Sequence, residues 1–158
     1  MDFDSDGVRL HFELHGPEGG HPIVLVHGFA SDYQLNWGGT RWQETLTKAG
    51  HRVIGLDCRG HGSSDKPHDP AAYALEMLAG DVRRLLEHLE IETANYLGYS
   101  MGAKTGMQAM LDFPKLRGRV VLGCRGWGGE FRAPGAVANA RRGVRAQRAG
   151  ALPRADSA

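Results

Sequence analysis

Gly98-Tyr99-Ser100-Met101-Gly102 places one serine between two glycines at G-x-S-x-G spacing, inside the run N-Y-L-G-Y-S-M-G-A-K-T-G from Asn95 to Gly106. A short apolar run leads in and a helix-forming segment leads out, so the serine belongs at a strand-to-helix turn. Such a turn strains the serine backbone, and small flanking residues let neighbouring backbone approach. The hydroxyl is pushed out at the sheet edge, while the first N–H groups of the new helix, which have no partner within it, face whatever that hydroxyl attacks. This is an arrangement for nucleophilic attack. In a chain with 23 glycines the five-residue pattern alone is weak. Its strand–turn–helix setting carries the reading.

The same residues allow a second chemistry. Gly98-x-x-x-x-Ala103-Lys104-Thr105 is one substitution from a phosphate-cradling G-x-x-x-x-G-K-[ST] loop. Ala103 stands where that loop needs glycine, and Val120-Val121-Leu122-Gly123 lacks the acid that would hold magnesium. Nucleotide binding is therefore a remote alternative, and Lys104 is expected at the helix surface.

The positioning elements follow from periodicity. Val8, Leu10, Phe12 and Leu14 alternate with polar residues as a strand with one wet face. Ile23-Val24-Leu25-Val26 and Arg52-Val53-Ile54-Gly55-Leu56-Asp57 are continuous apolar runs, the pattern of strands buried on both faces. Trp42, Leu46 and Ala49 share a helical face that Gly50 ends. Tyr73 to Leu89 repeats leucine and valine at three and four, with Asp81, Glu76, Arg83, Arg84, Glu87 and His88 expected at the surface. Met101 to Phe113 is the helix after the serine, stopped by Pro114, and Arg119 to Leu122 is one more strand. Strands alternating with helices of this length predict an α/β fold: a mostly parallel sheet with helices on both faces.

Composition bounds the rest. The chain has 158 residues and a formal charge of +1, which favours neither nucleic acid nor an acidic surface as partner. Through Leu122 there are 12 Lys+Arg against 16 Asp+Glu, whereas the remainder has 7 Arg and 2 acids. The N-terminus is acidic where a signal peptide is basic and apolar, and no run approaches a membrane span, so a cytoplasmic protein with no membrane partner is expected. Cys58 and Cys124 form no metal spacing, and neither a metal nor a cofactor is expected.

Taken together, these segments resemble the N-terminal half of an α/β-hydrolase, in the branch with a single Phe after His-Gly in the oxyanion loop. Four motifs carry the resemblance in the family's order. They are I-V-L-V running into His27-Gly28-Phe29, the turn Asp57-Cys58-Arg59-Gly60-His61-Gly62-Ser63-Ser64, the leucine-rich helix, and Gly98-Tyr99-Ser100-Met101-Gly102. The resemblance implies Ser100 as nucleophile, with an oxyanion hole from the backbone N–H groups of Phe29 and Met101. It implies a small-molecule acyl substrate, an ester, lactone or thioester, processed through an acyl-enzyme. His27 is expected to hold the oxyanion loop by hydrogen bonds, and His61 and Asp57 to organise their turn. Trp37 and Trp42 are expected to pack rather than to bind substrate. Cys58 and Cys124 fall on strands that the family's sheet order keeps apart.

The departure is equally specific. In this family an acid and then a histidine follow the serine. Here all eight histidines precede Ser100, and the only acids after Phe113 are Glu130 and Asp156. The triad acid and histidine are thus not found, and a serine without a base is a poor nucleophile. The chain is expected to be nearly inert, with a non-catalytic fragment or pseudo-enzyme as the alternative. The expected organisation is a truncated core over 1–122, with lid and last strands missing, and an Arg/Ala/Gly-rich tail over 123–158 that is disordered or read out of frame. The last strand would then be an open edge, predicting poor solubility or self-association through it.

Overall fold

A computed structural model describes residues 1–113 and 120–123. The expectations placed on Pro114, Arg119, Cys124, Glu130, Asp156 and the arginine-rich segment lie outside them. The described residues form a six-stranded sheet in the order β1-β2-β4-β3-β5-β6. Its strands are β1 (Asp2–Asp4), β2 (Arg9–His15), β3 (His21–Val26), β4 (His51–Leu56), β5 (Asn95–Tyr99) and β6 (Val120–Gly123). β1 and β2 are antiparallel, β2 runs antiparallel to β4, and β3, β4, β5 and β6 are mutually parallel. This is a partial α/β-hydrolase fold, with the expected antiparallel start.

The helices are α1 (Arg41–Lys48), α2 (Leu75–His88) and α3 (Met101–Asp112), with a π-helical turn at Gln34–Gly38 and a 3-10 turn at Pro70–Tyr73. Alternation along the strands sorts two cores. Val24, Val26, Ile54, Leu56 and Tyr96 pack with Val82, Leu85 and Leu86 of α2 on one side. Ile23, Leu25, Val53 and Leu97 pack with Tyr33 and Trp37 on the other. The apolar runs of β3 and β4 are thus strands covered on both faces, as continuous hydrophobic sequence implies.

Three features depart from the sequence reading. First, β1 is an added strand, joined to β2 through Asp6-Gly7, whose φ values of 59° and 79° suit a two-residue type I′ turn. Second, α1 buries no residue: Leu46 is half-buried, while Trp42 is half exposed and stands edge-on to Trp37 at 6.1 Å. Third, Asp81 is not a surface charge.

Asp81 is 1% exposed and forms a two-pronged ion pair with Arg59, itself 1% exposed, at 2.8 Å (Nε to Oδ2) and 2.6 Å (Nη2 to Oδ1). Ser5 Oγ donates to Asp81 Oδ1 at 2.5 Å, Arg84 Nη2 donates to it at 3.3 Å, and Arg59 Nη1 donates to the Ala72 carbonyl at 2.9 Å. Arg84, expected to point away, closes the network through Ser5 Oγ at 2.7 Å. Burial works against the Arg59 charge, but the hydrogen bonds and charge of Asp81 overcome it and raise its pKa above the ordinary value. The network ties the N-terminal hairpin, α2 and the turn after β4 into one body.

Removing one partner of such a pair strands a buried charge and costs about 3–5 kcal/mol, a large share of the roughly 5–15 kcal/mol that stabilises a typical domain. Asp81→Ala should therefore lower the urea midpoint sharply, whereas Glu76→Ala on the same helix should leave it nearly unchanged. Equal, small shifts for both would show that the pair contributes little.

Candidate active site

The site forms where the carboxyl ends of β3 and β5 meet the start of α3. Ser100 follows β5 and precedes α3 with φ 52° and ψ −105°. A non-glycine residue held at positive φ is strained by about 1–3 kcal/mol and persists only where its surroundings over-determine it. The surroundings here are backbone. A Cβ on Gly98 would lie 2.5 Å from the Gly102 carbonyl oxygen, and one on Gly102 would lie 2.2 Å from the Val26 carbonyl oxygen. Neither neighbour can yield as a side chain could, so both glycines of G-x-S-x-G are sterically required. Tyr96, buried beneath the turn, donates from its hydroxyl to the Gly102 carbonyl at 2.7 Å.

The second loop is His27-Gly28-Phe29-Ala30. Its link to the serine turn is direct: Gly102 N–H donates to the His27 carbonyl at 3.1 Å. Gly28 lies against Tyr99 and Ser100, where a Cβ would meet a Tyr99 ring carbon at 2.9 Å and Ser100 Cβ at 3.5 Å. His27 is fully buried. Its Nδ1 lies 2.7 Å from the Gly28 carbonyl, and its Nε2 accepts from Cys58 N–H at 3.0 Å. With a carbonyl on one nitrogen and an N–H on the other, the ring is a neutral Nδ1–H tautomer. Burial lowers its pKa below the ordinary value, against the opposing bond to Gly28. His27 has no free nitrogen to serve as a base.

That bond also orients a peptide plane. In a trans peptide the C=O and N–H point in opposite directions. The Gly28 carbonyl points inward to His27, so the Phe29 N–H on the same peptide points outward. No acceptor takes it among the described residues, and none takes the N–H of Met101 at the start of α3. Their neighbours are all occupied. Gly28 N–H donates to Asn36 Oδ1 at 2.8 Å and Ala30 N–H to His61 Nε2 at 3.3 Å. Ser100 N–H donates to the Gly123 carbonyl at 2.7 Å.

Asp57 sits behind this loop. Its Oδ1 accepts from Tyr33 N–H at 2.8 Å and its Oδ2 from Ser63 N–H at 2.8 Å, binding the turn after β4 to the segment after the oxyanion loop. Cys58 is buried, and burial pushes its thiol far above the usual range. β4, which leads to it, is separated from β6 by β3 and β5. Trp37 is in the core, as expected of a packing residue.

Ser100 and Phe29 are exposed, and among the described residues the Ser100 hydroxyl makes no hydrogen bond. No histidine is bonded to it: His11 pairs with Asp2, His15 with Glu13, and His61 faces Arg59 and Ala30. Lys104 is exposed on α3, as expected, and the Ser100 and Gly102 N–H groups donate to the Gly123 and His27 carbonyls. The described residues hold no cluster suited to a metal ion and no helix long and apolar enough to cross a membrane. A groove of about 620 Å³ between α2 and α3, floored by Val82, Leu86 and Phe113, includes neither Ser100 nor the oxyanion loop.

Sequence reasoning named Ser100, Phe29 and Met101 and did not single out Asn36 or Tyr96, whose side chains bond the two loops. Asn36 gives no periodic signal because it lies in a π-helical turn, and Tyr96 is indistinguishable from a core residue of its strand.

The neutral state of His27 has a measurable consequence. Below its ordinary value near 6.5, the unfolded chain takes up a proton that the folded ring refuses, so this contribution to stability is complete above that pH and declines as pH falls below it. The decline is at most about 1.4 kcal/mol per pH unit. As pH falls below that ordinary value near 6.5 unfolding free energy should fall, the His27 ring should take up its proton at a lower pH in the folded than in the unfolded chain, and His27→Asn should remove that part of the slope. A His27 ring that titrates near 6.5 in the folded protein would contradict the bonding described.

Comparison with known proteins agrees with this architecture. A family model described as the alpha/beta hydrolase fold matches residues 21–147. The sn-1-specific diacylglycerol lipase ABHD11 of Xenopus laevis is 37% identical over 116 residues, which are 72% of this chain and 35% of that protein. The enol-lactonase of Burkholderia xenovorans LB400 superposes with a TM-score of 0.69 at 32% identity, covering 76% of this chain and 45% of that one. Epoxide hydrolase A of Mycobacterium thermoresistibile gives 0.69 at 30% identity, with 77% and 37% covered. The chain spans between about a third and two fifths of the length of the curated relatives it matches. The matched motifs lie in the strands and turns that build this site, and the chain belongs to the α/β-hydrolase fold family.

Proposed function

We propose that Ser100 is the nucleophile of an acyl-transfer site, with the Phe29 and Met101 N–H groups as its oxyanion donors. The observation that carries this is the pattern of amide use around the two loops. Gly28, Ala30, Ser100 and Gly102 all donate to protein acceptors, whereas the N–H groups of Met101, next to Ser100 in the chain, and of Phe29, next to the Gly28 that packs on Ser100, take no acceptor among the described residues. Unpaired, pre-oriented donors beside a nucleophile are what a developing oxyanion requires. Oγ would attack the carbonyl carbon of an ester, lactone or thioester. The C–O or C–S bond to the leaving group would break, and water would then hydrolyse the acyl-serine.

The relatives include an epoxide hydrolase as well as a lipase and a lactonase. A serine favours the acyl reading on chemical grounds. Attack of Oγ on an epoxide carbon leaves an ether to the protein, which water does not cleave, whereas attack on a carbonyl leaves an ester, which it does.

Turnover by this chain is proposed to be slow. No histidine follows Ser100, and among the described residues none is bonded to its hydroxyl. Loss of triad members costs up to about a millionfold in turnover, leaving roughly a thousand- to ten-thousandfold over water from the oxyanion hole and binding.

A fluorophosphonate probe tests both halves. Oγ–P forms as P–F breaks, and the serine proton needs an acceptor. Intact mass and peptide mapping should show slow labelling at Ser100, accelerated by added imidazole and abolished in Ser100→Ala. Labelling that persists in Ser100→Ala would overturn the nucleophile. Fast labelling that imidazole does not change would overturn the missing base.

A further inference from the structure

The backbone around Phe29 is held from both sides by side chains that touch no reacting atom. On one side, Asn36 Oδ1 accepts the Gly28 N–H at 2.8 Å. Asn36 is itself fixed by the π-helical turn: its N–H donates to the Asp32 carbonyl at 3.1 Å, and its carbonyl accepts from Thr40 Oγ1 at 3.0 Å. On the other side, His61 Nε2 accepts the Ala30 N–H at 3.3 Å. His61 Nδ1 lies 3.0 Å from the Arg59 carbonyl, which keeps the proton on Nδ1 and leaves the Nε2 lone pair for Ala30. The Phe29 ring stands edge-on to His61 at 5.8 Å.

Ala30 has φ 54°, a conformation that costs a residue with a side chain about 1–2 kcal/mol. Something must hold it there, and the bond to His61 does so. Were Ala30 to relax, the peptides on either side would turn and the Phe29 N–H would lose its direction. Were Gly28 N–H released, it would compete with Phe29 for the same anion from an unsuitable place.

We infer that Asn36 and His61 are positioning residues of the oxyanion loop, each taking the amide next to Phe29 so that the Phe29 N–H alone remains free and aimed outward. This deepens the acyl-transfer reading and rests on it. It joins the π-helical turn and the turn after β4 to the loop, two segments whose chemistry is otherwise unused.

The pair Asn36→Leu and Asn36→Asp tests it. Aspartate keeps an oxygen for Gly28 N–H, and leucine removes it at similar volume. Amide hydrogen exchange by NMR at Gly28 and the inactivation constants for a fluorophosphonate with imidazole are measured alongside Tm. In Asn36→Leu, Gly28 exchange should speed up by about tenfold or more, and the maximal inactivation rate should fall roughly a hundredfold with the probe's binding constant within about twofold. Asn36→Asp should keep both within about threefold of wild type, since the acceptor is retained. His61→Phe should act in the same way through Ala30, which keeps the test open if Asn36→Leu fails to fold. Wild-type reactivity in Asn36→Leu, or an aspartate variant as slow as the leucine one, would overturn the inference. A wild-type chain that takes no label at all would sink the acyl-transfer reading, and this use of the inference with it. Gly28 and Ala30 exchange would then still decide whether the two clamps exist.

Discussion

Gly102 N–H donates to the His27 carbonyl across a gap in which neither Gly98 nor Gly102 has room for a single carbon. That contact brings the start of α3 down onto the end of β3 and makes two loops, far apart in sequence, into one surface. Ser100 can be held at φ 52° because the turn is closed on both sides by backbone. The His27–Ala30 loop can be held because its first carbonyl is already used. Adding a methyl group at either glycine would move the Ser100 turn away from the His27–Ala30 loop, whatever happened to overall stability.

Below that contact lies a hierarchy of buried polar groups, each satisfied. His27 links the Gly28 carbonyl to Cys58 N–H, Asp57 links Tyr33 to Ser63, and Asp81 links Arg59, Arg84 and Ser5. Groups of this kind are costly when unpaired, so they favour one arrangement of the loops over alternatives with the same hydrophobic burial. The apolar cores of the two sheet faces provide the driving force, and the polar groups choose among the geometries it permits. Around the two loops the Gly28, Ala30, Ser100 and Gly102 amides are bonded, whereas those of Phe29 and Met101 have no acceptor among the described residues.

Much of this was legible in the sequence, for physical reasons that differ by element. The β3 and β4 strands are continuous aliphatic runs, and α2 has a clear leucine period, so their type and order follow directly from burial. The G-x-S-x-G turn was legible because close backbone approach leaves glycine as the only solution. Asp81 was not legible: an acid in a leucine-rich helix looks the same whether it meets water or a buried guanidinium from another turn. Asn36 was hidden because its bond to Gly28 N–H is made from a π-helical turn, which has no sequence period. The Asp6-Gly7 hairpin does have a sequence signal, since Asp-Gly between two short runs suits the positive φ values of a type I′ turn. Trp42 shows the limit of periodicity, since an apolar stripe states that a face wants cover, not that cover exists.

If the proposed reading holds, the exposed serine hydroxyl and the two amides without an acceptor among the described residues form one preorganised site for a tetrahedral oxyanion. An alkyl boronic acid measures this directly, because boron becomes tetrahedral only when an oxygen nucleophile adds to it and the resulting negative charge is stabilised. By ¹¹B NMR, the account predicts a tetrahedral boron signal with the wild-type chain that is absent with Ser100→Ala. Boron that stays trigonal with the folded wild-type protein, or a tetrahedral signal that survives in Ser100→Ala, would contradict it.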